Sequence, residues 1–113
     1  MSLSGGIKVI AVDKETFQAE VKDTAGYVLV DYWSESCEAC KQLMPDVMAL
    51  AEKYNDKMKF TKLDVAKARR LAISEQVLGL PTITLYKDGQ KISEITKDDV
   101  TIGSIEAMIQ KAL

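Results

Sequence analysis

The sequence has no histidine and only two cysteines, Cys37 and Cys40, among its 113 residues. A tetrahedral structural zinc site draws four ligands from cysteine and histidine. The chain therefore carries half a set, and a metal clip would need a dimer sharing four thiolates or ligands from outside. Long hydrophobic runs are missing too: none approaches the roughly 20 residues that span a bilayer. Neither sign of charge dominates, with 15 Lys and Arg against 17 Asp and Glu and a net charge of −2. The signs are interspersed, so no basic stripe suits nucleic acid and no acidic tail suggests disorder. The first ten residues lack a basic start followed by an apolar core, so they do not resemble a signal peptide. The expected compartment is the cytoplasm, where thiols stay mostly reduced and disulfides tend to be transient and catalytic.

What remains is an ordinary globular composition, 47% hydrophobic and 28% charged. The length suits a single domain that buries about two thirds of its unfolded surface and needs no staple. A disulfide between Cys37 and Cys40 would close a loop too short to restrict the unfolded chain much. Composition alone thus leaves three roles for the pair: a metal clip, a staple or a working redox couple.

The chain shows no repeat or low-complexity segment and alternates strand and helix signals. Residues 1–6 read as a flexible start, and Gly5-Gly6 is no phosphate loop because no strand precedes it. Residues 7–12 form a short apolar strand. Asp13 can cap a helix over 14–21 with Phe17 and Val21 on one face. "YVLVDYW" at 27–33 is nearly continuous in apolar character, which implies a central strand covered on both faces. After the polar Ser34-Glu35-Ser36, a helical period runs through Leu43, Met44, Val47, Leu50, Ala51 and Tyr54. That helix starts at the cysteines, ends near Asn55, and should kink at Pro45, which removes the hydrogen bond to Lys41. Residues 58–65 read as a strand and 67–76 as a short exposed helix. Residues 82–96 form a hairpin turned at Asp88-Gly89, and a closing helix spans 102–113. This order predicts an α/β fold: a mixed sheet of about five strands flanked by about four helices, parallel through the crossovers and antiparallel in the hairpin.

In this frame Cys37 opens a helix directly after a central strand. Unpaired backbone N–H groups and the helix dipole favour negative charge there and lower the thiol's pKa. The i, i+3 spacing puts Cys40 on the same face, one turn deeper and within disulfide reach. Cys37 is then the exposed nucleophile and Cys40 the sheltered partner. Asp31 interrupts a run built for burial; an unpaired buried carboxylate has its pKa raised unless a cation such as Lys62 compensates, and a raised pKa suits a general base.

The segments "VLVDYWSESCEACKQLMP", "KFTKLDV", "VLGLPT" and "TLYKDGQ", followed by an amphipathic helix, together resemble the thioredoxin family in order and spacing from about Ile7 onward. The resemblance implies the thioredoxin fold and a protein-disulfide reductase with no cofactor beyond its own dithiol. Cys37 would attack and Cys40 resolve. Asp31 matches the family's buried acid, and Lys62 its ion-pair partner on the next strand. Pro81 matches the cis-proline facing the disulfide, Leu80 presents backbone to an extended substrate, and Trp33 matches the tryptophan before the active-site loop. Implied partners are disulfide-containing proteins and a thioredoxin-reductase-type electron donor, with the protein acting as a monomer.

Three positions depart from the family pattern. Ser36 replaces a tryptophan, Glu38-Ala39 replaces Gly-Pro between the cysteines, and Lys97 or Asp98 stands near the place of a groove glycine. Ser36, Glu38 and Ala39 are therefore expected to shape substrate contact, and the groove to be more polar. At about 6 Å in a water-like dielectric, Glu38 would oppose a Cys37 thiolate by roughly 0.7 kcal/mol, which tempers the helix-terminus effect without cancelling it. A less stabilised thiolate makes a more reducing couple. The competing readings are a disulfide oxidase or isomerase and a partner-binding module.

Overall fold

The structure, a computed structural model, describes residues 8–113. The expectations for residues 1–6, and for Ile7 as the first strand residue, fall outside that range. The strands are β1 (Val9–Val12), β2 (Tyr27–Trp33), β3 (Lys59–Asp64), β4 (Thr82–Lys87) and β5 (Gln90–Thr96). The α-helices are α1 (Glu38–Tyr54), α2 (Arg69–Ser74) and α3 (Ile102–Ala112). The sheet order is β1-β3-β2-β4-β5. β1, β3 and β2 are parallel, while β4 and β5 run antiparallel to their neighbours. β2 lies in the centre, as its continuous apolar run requires, and its five middle residues are all buried.

Strand alternation divides the core in two. Leu29, Phe60, Ile83 and Leu85 face α1 and α3, meeting Leu43, Val47, Leu50, Ile105 and Ile109. Val28, Val30, Tyr32, Leu63 and Tyr86 face the other way, against Phe17, Val21, Ala72 and Val77.

Two expected helices differ in form. Asp13 caps as expected, its carboxylate accepting from the N–H groups of Glu15 and Thr16 at 2.9 Å each. The regular helix over 14–21 is instead a turn leading into a π-helical segment, Gln18–Lys22, closed by Asp23 N–H on the Gln18 carbonyl at 2.7 Å. The wider turn still buries both Phe17 and Val21. The helix over 67–76 is split. Asp64 caps a 3₁₀ turn, Val65–Lys67, by accepting from Ala66 N–H, and Ala68, at φ −149° and ψ 50°, breaks the path before α2 begins. Ala68 and Ala72 pack inward, so the segment is anchored to the core and exposed only on its outer side. α1 is continuous through Pro45, which lies on its exposed side, as does Lys41, whose carbonyl loses its i+4 donor to that proline. The hairpin turns at Asp88-Gly89, where both residues have positive φ.

Candidate active site

Cys37 is the N-cap of α1, one residue ahead of the first helical turn in which the sequence placed it. Its own N–H donates to the Ser34 carbonyl at 3.1 Å, which folds the 34–37 turn back on itself. Its Sγ accepts from the Cys40 N–H at 3.1 Å. A thiol in that position meets one of the unpaired donors of the helix start, a contact that favours the thiolate. Cys37 and Cys40 are joined as a disulfide with their Cα atoms 5.2 Å apart. Cys37 is half-exposed and Cys40 fully buried, so an incoming sulfur can reach only the first.

Asp31 shares the parity of Leu29 on β2 and so projects into the layer covered by α1, the helix that carries Cys40. It is 0% exposed, and neither carboxylate oxygen has a hydrogen-bond partner. Burial pushes its pKa up from 3.8 to about 7, with the positive charge of Lys62 offsetting only part of the penalty. Lys62 is the register partner of Asp31 on β3. The ion pair that the resemblance implies is not a contact pair in the structure. The ammonium lies 5.8 Å from the centre of the Trp33 ring, and Asp31 makes no salt bridge. A half-buried lysine keeps its head near water and the aromatic face more cheaply than it follows a carboxylate into the core. Lys62 therefore acts on Asp31 through space.

Some of the remaining expected residues line one of two cavities bordered by chain neighbours of Cys37, and others line neither. On one flank, a cavity of about 360 Å³ is lined by Ser36, Val65, Arg69, Ile73, Leu78 and Leu80, among others. The Leu80–Pro81 bond is cis, Pro81 is buried and Leu80 half-buried. On the other flank, Trp33 and Lys62 line a second cavity with Glu35 and Asp64. Glu38 and Ala39 line neither; both are exposed at the start of α1, where Glu38 pairs with Lys41 at 3.7 Å. Met44 and Met48 lie on the same helix outside both cavities, and Met48 is 56% exposed.

Sequence reasoning left α2 out of the site, yet it supplies Arg69 and Ile73, and the loop after it Leu78. Ile73 and Leu78 are 65% and 84% exposed; two apolar residues with no core partner in a polar stretch were the available signal. It also missed a buried chain behind the site. The Tyr86 hydroxyl donates to Glu75 at 2.6 Å and lies 2.8 Å from the Tyr32 hydroxyl, and Glu75 pairs with Lys22 at 3.3 Å. Burial holds both phenols above their ordinary range and keeps them protonated. Among the described residues, no three metal-ligating side chains cluster so as to hold an ion. Among the same residues, no helix is long and apolar enough to cross a membrane.

A half-exposed sulfur at a sheet-to-helix junction, disulfide-bonded to a buried one on the helix that covers a buried acid, defines a dithiol–disulfide oxidoreductase on a mixed α/β sheet. Comparison with known proteins agrees. The thioredoxin family model matches residues 8–111. The thioredoxin of Acetoanaerobium sticklandii is 60% identical over 100 residues, covering 88% of this chain and 95% of the relative. The thioredoxin of Peptoclostridium acidaminophilum is 59% identical over 103 residues, covering 91% and 94%. A more distant relative, thioredoxin C-2 of Corynebacterium nephridii, is 31% identical over 86 residues, covering 76% and 80%. The chain belongs to the thioredoxin family, and its activity is that of a protein-disulfide reductase working through a cysteine pair.

Proposed function

We propose that Cys37 is the attacking cysteine and Cys40 the resolving one, with Asp31 as the base for the second step. The observation that carries this order is the asymmetry of the pair: Cys37 is half-exposed with a backbone N–H on its sulfur, while Cys40 is fully buried. The reduced protein attacks as the Cys37 thiolate. A bond forms between Cys37 Sγ and one substrate sulfur, and the other substrate sulfur leaves as a thiolate and takes up a proton. The Cys40 thiol gives its proton to the Asp31 carboxylate, directly or through water. The resulting thiolate attacks Cys37 Sγ and expels the second substrate sulfur. Two electrons have then passed to the substrate, and Cys37–Cys40 is the disulfide seen here. An external reductase returns the two electrons.

Lys62 tunes Asp31 and does not enter the bond changes. Ser36, Leu80 and Pro81 on one side, Trp33 on the other, and Glu38 and Ala39 at the exposed start of α1 form the surface against which the substrate segment lies. The protein works as one domain and a monomer in the cytoplasm, carrying electrons between a reductase and protein disulfides, with no cofactor beyond its dithiol and no nucleic acid or membrane partner. Its couple is reducing, because Glu38 opposes the thiolate.

The test is insulin-disulfide reduction by the parent, Cys37→Ser and Cys40→Ser proteins. The parent is expected to be active and both variants inactive in turnover. Cys40→Ser should accumulate a mixed disulfide through Cys37, visible by mass spectrometry. Normal turnover in either variant would overturn the order of steps, and a redox potential near those of periplasmic oxidants would move the assignment to an oxidase.

A further inference from the structure

The loop after β5 places a cation where the backbone would suit glycine. Lys97 has φ 56°, a region strained for any residue with a Cβ. Its N–H donates to the Pro81 carbonyl at 2.7 Å, which pins it to the loop that carries Leu80. Its side chain crosses Gly79 so closely that a Cβ there would collide with Lys97 Cε; the ammonium lies 3.3 Å from that Cβ position. Thr82 fastens the same loop by donating to the Gly79 carbonyl at 2.7 Å.

Gly79 borders the cavity next to Ser36 and Leu80, and Arg69 is the one charged residue among that cavity's described lining residues. Lys97 and Arg69 are exposed, and neither has a salt bridge among the described residues. Asp98 and Asp99 follow Lys97 in a 3₁₀ turn without pairing to it. The acids nearest the cysteines in sequence are placed elsewhere: Glu38 is held by Lys41, and Glu35 lines the opposite cavity with Trp33. The Leu80 flank thus has apolar walls, Arg69 in its lining and Lys97 crossing Gly79 at its border, and among the described residues no carboxylate lines it.

We propose that Lys97 and Arg69 are specificity-determining residues that favour protein disulfides whose flanking residues on the Leu80 side are acidic. An extended substrate segment lying along Leu80 would set its apolar side chains against Ile73 and Leu78 and a carboxylate near the two cations. The inference rests on the reductase reading and adds the chemistry of the preferred substrate.

The test uses three symmetric disulfide-linked peptide dimers that differ only in the residues beside the cysteine: Glu, Gln or Lys. Second-order rate constants for their reduction are measured with the reduced parent, Lys97→Gln, Lys97→Glu, Arg69→Gln and Lys97→Gln/Arg69→Gln proteins, and with dithiothreitol to normalise intrinsic peptide reactivity. One exposed charge pair is expected to change the Glu-to-Lys rate ratio by about two- to fivefold in Lys97→Gln, with a larger drop in Lys97→Glu and in the double variant. The Gln peptide should be the least affected of the three. The difference should shrink in high salt. Replacing a residue of positive φ by Gly relieves strain, so Lys97→Gly provides a well-folded second variant with the same expected loss of preference. A ratio unchanged across these variants, or an equal slowing on all three peptides, would overturn the inference while leaving the reductase reading intact. A parent protein that reduces none of the peptides would overturn both.

Discussion

Asp31 is a carboxylic acid enclosed in the core without a hydrogen-bond partner. Its carboxyl is fully buried, lacks a hydrogen bond, and titrates near 7. The unfolded chain releases that proton near the ordinary 3.8. Between those two values this carboxyl holds more protons in the folded state than in the unfolded one, so its contribution to stability falls as pH rises from about 4 to about 7 and levels off above. Asp31→Asn removes the penalty. It should stabilise the protein on the order of 4 kcal/mol at pH 8 and hardly at all at pH 4, measured by denaturant unfolding at the two pH values. Equal effects at both would show that Asp31 is not held protonated by burial. In turnover the same variant should be slower, and the parental loss of the resolving step as pH falls through 7 should disappear with it. At Glu38 the expectation is small. The residue is exposed and paired with Lys41, so Glu38→Gln should raise the Cys37 thiolate fraction by no more than about threefold. Thiolate absorbance against pH reads this, and a larger change would mean that the carboxylate lies closer to the sulfur than its pairing with Lys41 suggests.

At the scale of elements, α2 is tied to the sheet by a polar chain as well as by Ala68 and Ala72. Since the Tyr86 hydroxyl donates to Glu75, Tyr32 must donate to Tyr86. Tyr86→Phe therefore strands a buried Tyr32 hydroxyl and should cost about 1–3 kcal/mol. Tyr32→Phe leaves Tyr86 its acceptor and should cost less. The double variant should be less destabilised than the sum of the singles, because no buried hydroxyl is left stranded. Additive losses in denaturant titrations would dissolve the chain into independent contacts. This element carries Arg69 and Ile73 and leads into Leu78 and Leu80, so its anchoring sets one wall of the site.

Across the whole molecule, the redox site and the β4–β5 turn lie at opposite ends of the sheet. Trp33, four residues before Cys37, ends β2, whereas Tyr27 at the other end pairs with Lys87 beside the turn. Gly89 in that turn has φ 83°, and a Cβ there would run into the Lys22 carbonyl. Gly89→Ala should destabilise the protein by more than about 1 kcal/mol while leaving disulfide reduction per folded molecule unchanged. A loss of specific activity without loss of stability would show coupling between the two ends that the architecture does not contain.

Much of this was legible in the chain itself. The apolar run at 27–33, the heptad-like spacing after the cysteines and the Asp-Gly turn each act locally, through side-chain period or backbone preference, so the strands, α1 and the hairpin could be read directly. The cysteine pair could be placed at a helix start for the same reason. Helix form at 14–22 and 65–74 could not, because the depth of the core beneath Phe17, Val21, Ala68 and Ala72 chooses between π, 3₁₀ and α turns. Nor could sequence show that Lys62 leans on Trp33 and not on Asp31, or that a hydroxyl chain runs from Tyr32 to Glu75. It narrowed the groove position to Lys97 or Asp98, and only the loop's bond to Pro81 and its path over Gly79 decide for the lysine. Residue types and spacing determined the chemistry available, a dithiol beside an acid. Long-range packing decided which sulfur meets solvent, how far burial raises the acid's pKa, and which charges border the cleft, because exposure and dielectric are set by neighbours distant in the chain.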